Sequence, residues 1–167
     1  YQQFANIYTD QGNFEKSLQQ RKQSIRIFEA SGFKDDLIVA YSNLSIDLKG
    51  LKRFQESKEA LRKGLKILEK SEHKDPFYSK IIYNAMGDLY RATGKYDSAQ
   101  YYFDKSIRLA IENYGKRNEA TADSYGLRGK LFADRGMYQP ALKDFQQMLI
   151  STVPGFETSD IFTIPAI

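Results

Sequence analysis

The stretch YNAMGDLYRATGKYDSAQYYFDKSI, from Tyr83 to Ile107, decides the fold, because its landmarks recur three more times along the chain. Gly87 is a small residue in a helical pattern, and Ala5, Ser45 and Gly129 stand at the equivalent places. Three residues on, each unit carries a large side chain, Tyr8, Leu48, Tyr90 or Phe132, that fills the space the small one leaves. The pattern breaks at Gly12, Lys52, Gly94 and Gly136, where a left-handed backbone is easiest for Gly and costs more for Lys. Two residues later Phe14, Phe54, Tyr96 and Tyr138 begin a second helix. Its inner face carries Ser17, Ser57, Ala99 and Ala141 and, four residues on, Arg21, Leu61, Phe103 and Phe145. Small groups thus alternate with bulky ones along a packed seam.

The spacing of these landmarks is 40 and then twice 42 residues. An internal period of this size marks a stacked array of helix pairs, in which each unit buries its apolar face against its neighbours. Such an array is a binding architecture before it is a catalytic one.

This arrangement of small, aromatic and Gly positions resembles the tetratricopeptide repeat, over about residues 1–152. The resemblance implies an all-α, right-handed superhelical solenoid of four helix pairs, with units at about 1–34, 35–74, 75–116 and 117–152 and a non-helical tail over 153–167. Arg21, Lys52 and Arg128 depart from the expected residue types. The usual unit spans about 34 residues, and the extra length here is similar to the longer repeats of kinesin light chains and many bacterial proteins. Helices are predicted at about 1–11, 13–31, 36–50, 53–71, 76–93, 96–113, 118–135 and 138–152. Asp75-Pro76 is a start signal, since Asp accepts from free first-turn amides and Pro tolerates the first helical position. Gly32 and Gly115 mark the ends of two second helices.

Both ends of the sequence read as cut. Tyr1 falls at the equivalent of Tyr41, Tyr83 and Tyr125, inside the first helix of its unit. The tail contains Pro154, Gly155 and Pro165, and its apolar residues Val153, Phe156, Ile161 and Phe162 are placed to cover the last helix. The segment from Ala141 to Phe162 also resembles the junction that follows the last repeats in bacterial proteins joining tetratricopeptide arrays to a caspase-like CHAT peptidase domain, and Tyr114 to Tyr125 resembles their inter-repeat links. That resemblance implies a catalytic part beyond Ile167, since such a peptidase needs a Cys nucleophile activated by a His. This chain has no Cys and one His.

Composition narrows the function classes. The chain of 167 residues has 28% charged residues, and no apolar run approaches the ~20 residues of a membrane-spanning helix. The absence of Cys removes disulfides, thiolate catalysis and Cys-based zinc sites, and fits a cytoplasmic location. His73 lies in a polar link and reads as an exposed loop residue, so no metal and no cofactor are expected. No carboxylate pair stands out as an acid/base couple, and no catalytic residue is assigned.

The family resemblance places the first helices of successive units along a concave face. Three rows of side chains then line it: Gln2, Ser42, Asn84 and Gly126; Asn6, Ile46, Asp88 and Lys130; Thr9, Lys49, Arg91 and Ala133. These rows are the expected binding surface for a protein or peptide partner, and Lys49 beside Arg91 is placed to hold a ligand carboxylate. A related subclass clamps chaperone C-termini through basic side chains; Asn6 and Asn43 fit that pattern, but Gln2, Ile81 and Ala85 replace three of its cations. Chaperone-tail binding is therefore not expected. A formal net charge of +4 and a basic second helix in unit two raise nucleic acid as a competing ligand. Glu56, Glu59 and Glu69 interrupt that basic run, which argues for a solvated outer helix instead. The leading expectation is an interaction scaffold, the recognition arm of a larger bacterial protein; the alternative is a receptor for a signalling peptide or small ligand.

Overall fold

The computed structural model describes residues 1–72 and 75–156. His73, Ile161 and Phe162 lie outside the described residues. Eight helices form among the described residues: α1 (Gln2–Asp10), α2 (Phe14–Ser31), α3 (Lys34–Gly50), α4 (Phe54–Glu69), α5 (Pro76–Ala92), α6 (Tyr96–Tyr114), α7 (Glu119–Asp134) and α8 (Tyr138–Thr152). Each odd helix packs antiparallel on the even helix that follows, and each even helix packs on the next odd one. Contacts between α3 and α5 and between α5 and α7 run the first helices side by side. The chain is an all-α solenoid.

One turn geometry repeats in all four units. Gly12, Gly94 and Gly136 have φ of 72°, 71° and 70°, and Lys52 adopts φ 58° at the equivalent place. The next amide reaches back to the large residue of the first helix: Asn13 N to Tyr8 O at 2.8 Å, Arg53 N to Leu48 O at 2.8 Å, Lys95 N to Tyr90 O at 2.9 Å and Met137 N to Phe132 O at 2.9 Å. This is the six-to-one hydrogen bond of a helix that ends on a left-handed residue, and it satisfies a carbonyl the helix cannot. The same residue then caps the second helix, since Asn13, Arg53, Lys95 and Met137 carbonyls accept from Ser17, Ser57, Ala99 and Ala141 amides. In each unit the three residues between the paired helices thus end one and start the next.

The seam between the paired helices follows residue volume. Phe103 and Leu61 are fully buried, each worth about 2–3 kcal/mol in water-excluded area. At Gly87 a Cβ would sit 2.5 Å from Phe103 Cε1, and at Gly129 one would sit 2.7 Å from Phe145 Cε1. Where the small residue is Ala5 or Ser45, a serine on the second helix donates to its carbonyl: Ser17 Oγ to Ala5 O at 2.9 Å, and Ser57 Oγ to Ser45 O at 3.1 Å.

Arg21 is the exception on the seam. It occupies the place of Leu61, Phe103 and Phe145, is 1% exposed, and its Nε meets Asp47 Oδ2 at 2.6 Å. Asp47 is fully buried and also accepts from Thr9 Oγ1 at 2.6 Å. The guanidinium is completed by Asn6 Oδ1 and Thr9 Oγ1, both at 3.1 Å. Arg128, a further departure from the expected residue types, forks onto Asp144 at 2.7 and 2.8 Å and reaches Asp104 at 2.5 Å. At the starts of later helices Asp75 accepts from Phe77 N and Asn118 from Ala120 N, each at 2.8 Å. Beyond α8 the chain turns back so that Phe156 is 8% exposed and its carbonyl accepts from Arg117 Nη2 at 3.2 Å.

Candidate functional site

The inner face is built by α3, α5 and α7, whose exposed stripes face the same way because every second helix lies behind them. Two clefts open on this face and share Asn84, Asp123 and Leu127. One, of about 260 Å³, is floored by Ile46, Ile81, Ala85 and Leu127; the other, of about 530 Å³, runs on to Phe145 and Met148 of α8. Leu127, Ala85 and Asn43 are equivalent positions one step from the Ser42, Asn84 and Gly126 row. The apolar floor therefore combines Ile46 of the second predicted row with Ala85 and Leu127, which stand one residue beyond Asn84 and Gly126 of the first.

The three predicted rows do not fare alike. In the first, Ser42 is 2% exposed and spends its hydroxyl on Ile38 O, so it does not face a ligand as expected. The close approach of α3 to α5 buries it. Gly126 is buried as well, with Met148 Sδ 2.9 Å from where a Cβ would stand. Gln2 and Asn84 are half-buried, and the Oε1 of one and Oδ1 of the other have no hydrogen-bond partner among the described residues. Asn84 Nδ2 donates to Ser124 Oγ at 3.4 Å.

In the second row Ile46 is 39% exposed at the cleft floor, and Asn6 faces solvent with its carbonyl on Arg21. In the third, Thr9 is committed to Asp47, Ser17 and Arg21. Lys49 and Arg91 lie in adjacent units as expected, but Asp88 stands between them and pairs with both: with Lys49 Nζ, and with Arg91 Nη2 at 2.9 Å. Arg91 Nη1 goes on to Asp134 Oδ2 at 2.5 Å. The charges form a ladder across three units, and Lys130 is the row cation without an ion pair among the described residues. Burial, then Arg91 and Lys130, push the Lys49 ammonium down to about 8. At the other rim Lys80 Nζ, 9% exposed, lies 3.5 Å from Asp123 Oδ2. No group of three or more metal-ligating side chains that could hold an ion forms among the described residues.

A sequence profile of the tetratricopeptide repeat matches residues 1–70 and 79–149. The chain belongs to the tetratricopeptide repeat family. Repeats of this family generally serve as protein-interaction scaffolds and are typically not enzymes. No curated protein matches the chain. Among solved structures, the crystal structure of BtubC (BKLC) from P. vanneervenii superposes with a TM-score of 0.66 at 16% identity, covering 81% of this chain. The tetratricopeptide array described here spans 57% of that protein's chain, and the likeness concerns the fold. No described helix is long and apolar enough to cross a membrane.

Proposed function

We propose that this chain is an interaction scaffold that binds a peptide, or an extended segment of a partner protein, along α3, α5 and α7. The observation that carries the reading is Ile46, 39% exposed at the floor of a cleft whose rims are charged. An apolar anchor ringed by polar groups is the arrangement that concentrates binding energy at an interface. The rim cations already hold Asp88, Asp134 and Asp123, so a ligand carboxylate meets Lys130 before Lys49 or Arg91. Apolar side chains on the ligand, not its charge, supply the affinity. The clefts are open along the stack, which favours a chain-like ligand over an enclosed small molecule.

The same reading makes the array the recognition arm of a larger bacterial, cytoplasmic protein, with a caspase-like CHAT peptidase as the associated activity; its support is the resemblance of the segment from Ala141 to Phe162. The test of the binding reading is selection from a displayed peptide library lacking Asp and Glu, followed by affinity measurement on Ile46→Glu. Affinity is expected to drop about tenfold or more with an unchanged melting temperature. Full retention of affinity would move the site off this face.

A further inference from the structure

The basic second helix of unit two, α4, lines a cleft separate from the inner groove. Lys63 and Lys66 on α4 and Lys70, the residue just past its end, follow one another at spacings of three and four residues. They overhang a cleft of about 320 Å³ on the outer side of the stack, between α2 and α4. Its floor is apolar, made by Leu37, Tyr41 and Ile67. All three lysines are exposed, and none is in an ion pair among the described residues. Lys63 Nζ lies 5.7 Å from the centroid of the Tyr41 ring, which holds the cation over the floor.

The opposite wall offers little to neutralise them. Glu29 of α2 is the acidic residue there, and its Oε1 already accepts from Tyr41 Oη at 2.7 Å. That bond fixes the wall and leaves an excess of positive charge at the mouth. The cleft continues past Tyr41 and Lys63 into a second one, of about 160 Å³, along Leu44 and Leu48. Here the charge is mixed, because Glu56 and Glu59 stand beside Lys22 and Lys63, and Glu56 is already paired with Arg53. From Leu37 to Leu48 the floor runs for about 16 Å at ~1.5 Å per residue of helix, the length of about five extended residues.

We infer that this outer cleft between α2 and α4 is a second docking site, for an acidic peptide segment that carries an aromatic or aliphatic anchor. Charge complementarity places the acidic residues at the Leu37 end, under Lys63, Lys66 and Lys70, and the anchor on Tyr41 and Ile67. An uncharged residue follows towards Leu48, where the lining charges balance. A nucleic-acid backbone fits less well, since the lysines form one short row and Glu56 and Glu59 stand in the groove that continues from it.

The test is an array of eight-residue peptides that vary acidic content and carry Phe, Leu or only Gly and Ser, probed with the whole chain. Acidic peptides with Phe or Leu should bind best. Their affinity should fall about tenfold or more in Lys63→Glu/Lys66→Glu/Lys70→Glu, which alters exposed residues only, and should be unchanged in Ile46→Glu. Ile67→Ala should weaken the Phe peptides and leave the Gly/Ser peptides as they were. Equal binding of acidic peptides with and without an anchor would overturn the proposal, as would full binding to the triple variant. Binding of single-stranded RNA, lost in the triple variant while no peptide binds, would overturn it in favour of a nucleic-acid surface.

Discussion

The pair Gly87 and Phe103 shows how single residues set the stack. The Phe103 ring comes within 2.5 Å of where the first atom of any side chain at residue 87 would be, whereas in unit two the equivalent positions hold Ser45 and the smaller Leu61. Volume is shared across the seam, so one partner grows only as the other shrinks. Gly87→Ser should therefore lower stability by ~1–3 kcal/mol, and adding Phe103→Leu should recover a good part of it in urea unfolding. Strictly additive losses would show that the two do not touch. Arg21 and Asp47 set a different kind of constraint, with a charge pair of 1% and 0% exposure in a seam that is otherwise apolar or hydroxyl-lined. Asp47→Leu alone strands the guanidinium and should cost ~3–5 kcal/mol, while Arg21→Leu/Asp47→Leu should regain most of that. The measured urea midpoints decide it, and a double variant as weak as the single one would contradict the pairing.

At the scale of helices and turns, the sequence carried most of the architecture. The glycine-marked breaks, the start at Asp75-Pro76 and the ends at Gly32 and Gly115 are local signals, and the observed helices follow them within about two residues. Lys52 was legible as a misfit because three glycines stand at its equivalents, and its φ of 58° is the strained value those glycines adopt freely. Lys52→Gly should raise stability by ~0.5–1 kcal/mol, since relief of the left-handed penalty exceeds the added flexibility of the unfolded chain; a lower melting temperature would mean that Lys52 makes a contribution its backbone conceals. Cross-unit polar pairs were not legible. Arg21 stood out as a departure, but its partner Asp47 is 26 residues away, in a row otherwise filled by Ile7, Leu89 and Leu131. Two departures at facing positions were the available signal. The burial of Ser42 depended on how closely α3 and α5 approach, a distance that helical periodicity does not contain.

Over the whole molecule, four similar units place three first helices side by side and leave an inner groove, while the second helices form an outer surface on which α4 carries a row of lysines. The ladder of Lys49, Asp88, Arg91 and Asp134 belongs to this scale, since its two cross-unit bonds span 39 and 43 residues. Its members are 17–45% exposed, so each pair adds about 0–1 kcal/mol to stability. Its larger effect is on recognition, because it presents a nearly neutral rim and leaves the apolar floor to select the ligand. Phe156, folded back and bonded through its carbonyl to Arg117, adds a further contact beyond the last helix. The most direct measurement is amide chemical-shift mapping with a peptide selected from the library that lacks acidic residues. The account predicts shifts clustered at Ile46, Asn84, Ala85 and Leu127 on α3, α5 and α7. A cluster on the outer faces of α2, α4 or α6, with the inner groove unchanged, would contradict it.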